Sequence, residues 1–395
     1  MMIPEANAVE RARQLLRQGH IAEAERLYAV VLGTAPDNVE ALSAVGIAAL
    51  RSGDHGRALT LLGNAVRIAP EQAATRLHLA AALERAGDTH QATLQYARAL
   101  QQAQAHGRWL NADTTPPALR PLVEHAVRVV RAGRREALAC ALEPLAKRFG
   151  ITALSRVEQC LRIYLREIDL PRPDPRQQPT FLYFPGLGAT PFLDRSQFDW
   201  IESLEAATDA ILAELMSLLP RSTGRERVFE SEELEHRHLR GAACDPSWTG
   251  YYFYRHGERR EDNCAACPAT TAALSRLPLT HVREHGPEVL FSVFTAGTHL
   301  LPHRGVTNTR LVGHLPLIVP RDCALRVGDE LHEWRVGRVV VFDDTYQHEA
   351  WNRSDEIRVV LIFDVWHPAL TEVERLAVAE LVGAIGDFRK AMEAV

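Results

Sequence analysis

The sequence predicts an α + β multidomain chain: an all-α region first, then an all-β domain with flanking helices. Three observations carry this. Residues recur at a fixed step of 34 over 1–106. Four prolines fall within the ten residues 170–179. Short runs rich in Val, Leu, Ile and Phe, separated by Gly, Pro or Asp, fill 288–368 and suggest a sandwich or barrel.

Composition sets the outer bounds. A chain of 395 residues is long enough for two or three domains. Its apolar share of 46% and charged share of 24% are those of a globular protein. A net charge of −5 argues against a general nucleic-acid binder. No run reaches the roughly 18–20 apolar residues of a membrane span. The opening MMIPEANAVERARQLL lacks a basic stretch followed by an apolar one, so the expectation is a cytoplasmic protein without a signal peptide. The six cysteines, Cys140, Cys160, Cys244, Cys264, Cys267 and Cys323, then read as reduced thiols.

Within 1–106, Gly19, Gly53 and Gly87 keep the 34-residue step, as do Ala24, Ala58 and Ala92. Tyr28, Leu62 and Tyr96 follow it, and so do Pro36 and Pro70. Each unit reads as helix, tight turn at Gly, helix and break. The small Ala lets paired helices approach, the bulky residue four positions on fills the next hole, and Pro stops the second helix. This resembles the tetratricopeptide repeat in three copies, starting near Ala6, Glu40 and Ala74. The third has Gln104 in place of Pro, as suits a terminal repeat. Such a solenoid offers a concave face to a peptide or protein partner and no chemistry of its own.

Residues 107–179 read as a helical connector, with helices near 117–149 and 152–168 and then the Pro-rich linker. The second domain is expected over 180–395. GLGATP at 186–191 lacks the spacing and the Lys-Ser/Thr ending of a phosphate loop. Residues 200–219 form an amphipathic helix, and 247–262 a strand followed by a polar turn. Cys264-Ala-Ala-Cys267 has no second cysteine pair for zinc and no thioredoxin-like setting, so Cys267 is expected to pack beneath the helix that follows.

Strands are expected at 289–295, 309–319, 324–327, 338–343 and 357–365. His303 lies in LPHRG before a turn, and His348 in DDTYQHEAWN after a strand. Two imidazoles at the edges of separated apolar runs suit a divalent iron site, which usually adds a carboxylate two residues after the first His; here that position is Gly305. Spacing alone leaves a metal pair and ordinary core or surface histidines both open.

The strings HRGVTNTRLVGHLPLIVP, GRVVVFDDTYQHEAWN and IRVVLIFDVWHP resemble the aspartyl/asparaginyl β-hydroxylase family, most strongly over about 290–370. That family comprises iron(II)- and 2-oxoglutarate-dependent oxygenases on a double-stranded β-helix (jelly-roll). It carries glycine where the usual carboxylate would stand, so Gly305 fits it. The resemblance implies His303 and His348 as iron ligands. It implies Arg358 and Ser292 on the far carboxylate of 2-oxoglutarate, and His314 near that co-substrate's other end. It implies Arg310 facing an acidic substrate side chain, and Asp344 holding a metal-bound water. Where better-studied members carry basic residues, this chain has Val312 and Leu290. The implied reaction, with O2 as second co-substrate, is hydroxylation of the β-carbon of Asp or Asn in a protein, peptide or free amino acid. The same chemistry on a lipid acyl chain is the first alternative. A silent repeat-bearing interaction protein is the second, and the presence of His303, His348 and Arg358 argues against it.

Overall fold

The computed structural model describes residues 5–169, 173–220, 224–229, 231–241 and 246–395. Cys244 and residues 170–172 of the Pro-rich segment lie outside the described residues. The chain divides into two compact units, one of residues 1–140 with 384–395 and the other of 141–383.

The first unit contains three helical hairpins: α1 (Glu5–Arg17) with α2 (Ile21–Thr34), α3 (Val39–Ser52) with α4 (His55–Ile68), and α5 (Ala73–Arg85) with α6 (Thr89–Ala105). The three periodic glycines sit at the hairpin turns, with φ of 80° at Gly19, 84° at Gly53 and 91° at Gly87. This is left-handed backbone that a side chain would strain, so the period is fixed by turn geometry. Ala24, Ala58 and Ala92 are fully buried where paired helices meet. The α2 and α4 helices end just before Pro36 and Pro70, whereas α6, lacking that proline, runs on to Ala105.

In the second unit we number eight strands: β1 (Trp248–Arg255), β2 (Val289–Phe294), β3 (His299–His303), β4 (Arg310–Ile318), β5 (Cys323–Val327), β6 (Val340–Phe342), β7 (His348–Asn352) and β8 (Arg358–Trp366). Among the described residues they form two antiparallel sheets. One runs β1-β2-β8-β4-β6 and the other β3-β7-β5, each extended by shorter strands.

Alternation along the strands assigns the faces of the larger sheet. Phe291, Val293, Leu311, Leu315, Leu361 and Phe363 pack against helices Ile201–Ala206, Thr208–Leu218 and Pro268–Leu274. Phe294, Val312, Val360 and Phe342 point the other way, sharing a second core with Leu300, Leu325, Val327 and Ala350 of the smaller sheet. The helix expected over 200–219 is therefore two short helices. Cys264 and Cys267 are buried free thiols in the helix-covered core, and burial pushes Cys267 up to about 12, which leaves it unreactive.

Five expected strands appear near their anticipated places. The two short strands β3 and β7 do not follow from the sequence pattern. HLLPH contains Pro302, which a ladder tolerates poorly, and HEAWN is largely polar. These are the strands that carry His303 and His348.

Candidate active site

His303 and His348 lie directly opposite each other on the antiparallel pair β3–β7, next to a register shift between His348 and Ala350. Their ring centroids are 4.0 Å apart, with the planes inclined at 53°. His303 Nδ1 is 2.9 Å from the Leu301 carbonyl, and His348 Nδ1 is 3.1 Å from the Tyr346 carbonyl. A carbonyl only accepts, so both Nδ1 atoms carry the proton and each Nε2 keeps its lone pair. Burial, with the neighbouring imidazole, lowers His303 to about 4, and burial lowers His348 to about 4 as well. Two neutral, orientation-locked imidazoles with free Nε2 atoms are what a divalent cation requires.

Gly305 follows two residues later, and its requirement is space, since its φ is not positive. A Cβ placed there would lie 2.1 Å from the Asp344 carboxyl carbon. The Asp344 carboxylate thus fills the volume that a residue-305 side chain would occupy. Gly305 N–H also donates to the Asp344 carbonyl at 2.7 Å. Asp344 Oδ2 accepts from Arg310 Nη2 at 2.5 Å, while Oδ1 is buried without a partner. The unpartnered oxygen fits a role on a metal-bound water. Among the described residues no group of three or more His, Cys, Asp or Glu is arranged to hold a metal, so a cation here would have the two histidines as its protein ligands.

Arg310 also donates to Asp364 Oδ2 at 2.9 Å, so it bridges two buried acids. Its charge is held firmly by these carboxylates, while burial raises both Asp344 and Asp364 above the usual range. Glu288 adjoins them, donating its backbone N–H to Asp364 at 3.0 Å. Burial, with the Asp364 charge beside it, pushes Glu288 up to about 7. An acid raised from about 4.3 in the unfolded chain contributes full stability below that value and loses it as pH rises through 7. Glu288→Gln is therefore expected to match the parent near pH 4 and exceed it at pH 8 by about 3 kcal/mol. Urea unfolding at the two pH values measures this, and an equal difference at both would refute it.

The remaining residues cluster on the inner face of the larger sheet. Arg358 is 1% exposed, yet its Nε and Nη1 have no partner. Its guanidinium carbon lies 3.8 Å from the Phe294 ring centroid and 4.8 Å from that of Trp334. Burial lowers it to about 9. Ser292, fully buried, accepts from Trp248 Nε1 at 2.9 Å and keeps its own proton to donate. His314 is 5% exposed with Nδ1 unpartnered, and burial with the Arg358 charge holds it neutral. A cation and an imidazole with unpartnered nitrogens, beside a hydroxyl that still has a proton to donate, are suited to an anion such as a carboxylate. Leu290 and Val312, where basic residues would stand in the family's better-studied members, are buried at 5% and 9%.

Two features escaped the sequence reading. Trp334 belongs to the excursion between β5 and β6, residues 328–339, which holds none of the site residues expected from sequence. Arg304, whose Nε is buried without a partner, lines a cavity of about 390 Å³ beside His348. Neither has a spacing signal; a cation next to a candidate ligand is the only clue Arg304 offers.

The family model for aspartyl/asparaginyl β-hydroxylase matches residues 205–368. The human protein of that name is 37% identical over 129 residues, 32% of this chain and 17% of that one. An ornithine lipid ester-linked acyl 2-hydroxylase from Rhizobium tropici is 36% identical over 191 residues, 47% of this chain and 64% of its own. Aspartate β-hydroxylase domain-containing protein 2 of Mus musculus is 30% identical over 240 residues, 60% of this chain and 67% of its own. The match thus spans less than two thirds of the human and rhizobial proteins.

Proposed function

The chain belongs to the aspartyl/asparaginyl β-hydroxylase family, and from that premise we propose an iron(II)- and 2-oxoglutarate-dependent dioxygenase that hydroxylates an unactivated C–H bond. The favoured substrate is the β-carbon of Asp or Asn in a protein, peptide or free amino acid. The observation that supports this best is the buried, anion-free Arg358 on the same inter-sheet face as a histidine pair with both Nε2 atoms free.

In this reading His303 and His348 hold the metal. Bound iron with 2-oxoglutarate would supply the oxidising power, consuming O2 and releasing succinate and CO2 for each hydroxyl inserted. Arg358 and the Ser292 hydroxyl fix the far carboxylate of 2-oxoglutarate, and His314 donates nearer its other end. Asp344 orients a water through its free Oδ1. The inter-sheet core keeps bulk water from the reacting atoms. We further propose a double-stranded β-helix for 180–395, a tetratricopeptide solenoid for 1–106 that recruits a partner, and a connector over 107–179.

One observation favours a lipid acyl chain as the alternative substrate. Arg310 Nη1 and Nη2 are engaged by Asp364 and Asp344, so among its nitrogens Nε alone is unpartnered, and Val312 and Leu290 are apolar, so a substrate acid would find one guanidinium donor and no second cation here. Succinate release with acidic peptides, free Asp and Asn, and acylated lipids separates the two. Stimulation by the lipid pool alone would move the assignment to the second.

The chemistry itself has a direct optical test. Anaerobic protein with iron(II) is expected to develop a charge-transfer absorption band when 2-oxoglutarate is added. His303→Ala and His348→Ala should each lose it, along with at least a hundredfold of turnover. A band that survives both substitutions removes the histidines from the metal site.

A further inference from the structure

Resting on the 2-oxoglutarate reading above, we propose that Trp334 binds the far end of that co-substrate. Its indole N–H serves as a carboxylate donor and its ring forms a wall of the pocket. Nothing in the 2-oxoglutarate reading needs this residue; its position argues for it.

Trp334 is 5% exposed, and its Nε1 is buried with no hydrogen-bond partner. A buried indole N–H ordinarily finds an acceptor, and leaving it unmade costs the desolvation of that donor. The residues around it are short of acceptors in the same way. Arg358 keeps two unpartnered nitrogens beneath the Trp334 ring, and His314, with its own unpartnered Nδ1, lies 5.8 Å from that ring between centroids. Trp334 and Arg358, from separate segments, thus present unpartnered N–H donors in one buried region, with the His314 imidazole beside them. One anion with several oxygen lone pairs satisfies them together.

The rings decide how that anion approaches. Phe294 and Trp334 both lie against the Arg358 guanidinium, at 3.8 and 4.8 Å from its central carbon. Aromatic contacts hold the cation in place and leave the edge of its plane, where the N–H groups point, for a carboxylate. Trp248 presents the contrasting case on the same face. Its Nε1–H is already spent on Ser292, so Trp334 is the tryptophan in this cluster with a donor to give. Trp334 also lines an open cavity of about 560 Å³ with Leu331, Arg335 and Val339. The excursion between β5 and β6 therefore contributes the wall between that cavity and Arg358.

The test is binding under anaerobic conditions, with diamagnetic zinc(II) in the metal site and 2-oxoglutarate as titrant, followed by calorimetry and by indole ¹H–¹⁵N resonances. The chain has six tryptophans, so six indole signals are expected. One should move downfield and exchange more slowly as 2-oxoglutarate saturates. Trp334→Phe, which keeps the ring and removes the donor, should abolish that signal and weaken 2-oxoglutarate binding about tenfold. Arg358→Met serves as the control for the pocket. If the parent binds 2-oxoglutarate but no indole signal moves, or Trp334→Phe binds equally well, the Trp334 assignment is wrong and the co-substrate reading stands. If the parent does not bind 2-oxoglutarate at all, the co-substrate reading fails first and takes this inference with it. If Trp334→Phe does not fold, Trp248→Phe identifies the other indole signal in the cluster, and a shift confined to the Trp248 signal overturns the inference.

Discussion

Replacing Gly305 with alanine is expected to cost stability and metal affinity together, although it adds only one methyl group. The new Cβ would fall 2.1 Å from the Asp344 carboxyl carbon, well inside contact distance. The carboxylate cannot retreat freely, because Arg310 holds Oδ2 and the Asp344 carbonyl is tied to the Gly305 N–H. Overpacking of this kind typically costs about 1–3 kcal/mol. Displacing Asp344 also breaks one arm of the Arg310 bridge and shifts the loop next to His303. In an Asp344→Ala background the same glycine substitution should cost almost nothing, because the obstructing atoms are gone. A thermodynamic cycle over the four proteins measures the coupling. Equal costs in both backgrounds would show that Gly305 is needed for some reason other than the space Asp344 takes. Gly305→Asp should do no better than alanine, since the place of the usual carboxylate is already filled.

Arg358→Met should separate stability from function in opposite directions. A buried guanidinium without a counter-anion is costly, as its lowering to about 9 indicates. Methionine keeps much of the stem's packing between Phe294 and Trp334 and removes the charge. The protein without co-substrate is therefore expected to gain about 1–3 kcal/mol of unfolding free energy. Binding of 2-oxoglutarate should weaken at least a hundredfold, because truncating one partner of a buried charge pair strands the other. Urea unfolding and calorimetry on the same preparations read both quantities. A variant that loses stability would mean that Arg358 is structural and finds its partner within the fold.

The helical region was legible because turn geometry repeats: a left-handed glycine, a buried alanine and a helix-stopping proline recur in step, and each leaves a one-residue trace. The long apolar strands were legible for a similar reason, since β2, β4 and β8 are buried on both faces and read as continuous apolar runs. The strands under the two histidines were not. They are short and polar, and their pairing depends on each other and on β5, which no local pattern reveals. The bridging of Arg310 was equally hidden, since Asp344 and Asp364 come from different segments and meet it only when the chain is folded. Trp334 gave no sign because an orphaned indole N–H is a property of its surroundings.

The pairing of His303 with His348 also says where the chain can change length. Side chains alternate faces along a strand, so one inserted or deleted residue within β3 or β7 turns a histidine outward and dismantles the pair. The connections outside those strands, such as 319–322, which passes from β4 in one sheet to β5 in the other, carry no such parity. Natural insertions and engineered tags should accumulate there and be absent from the ten residues of the two histidine strands.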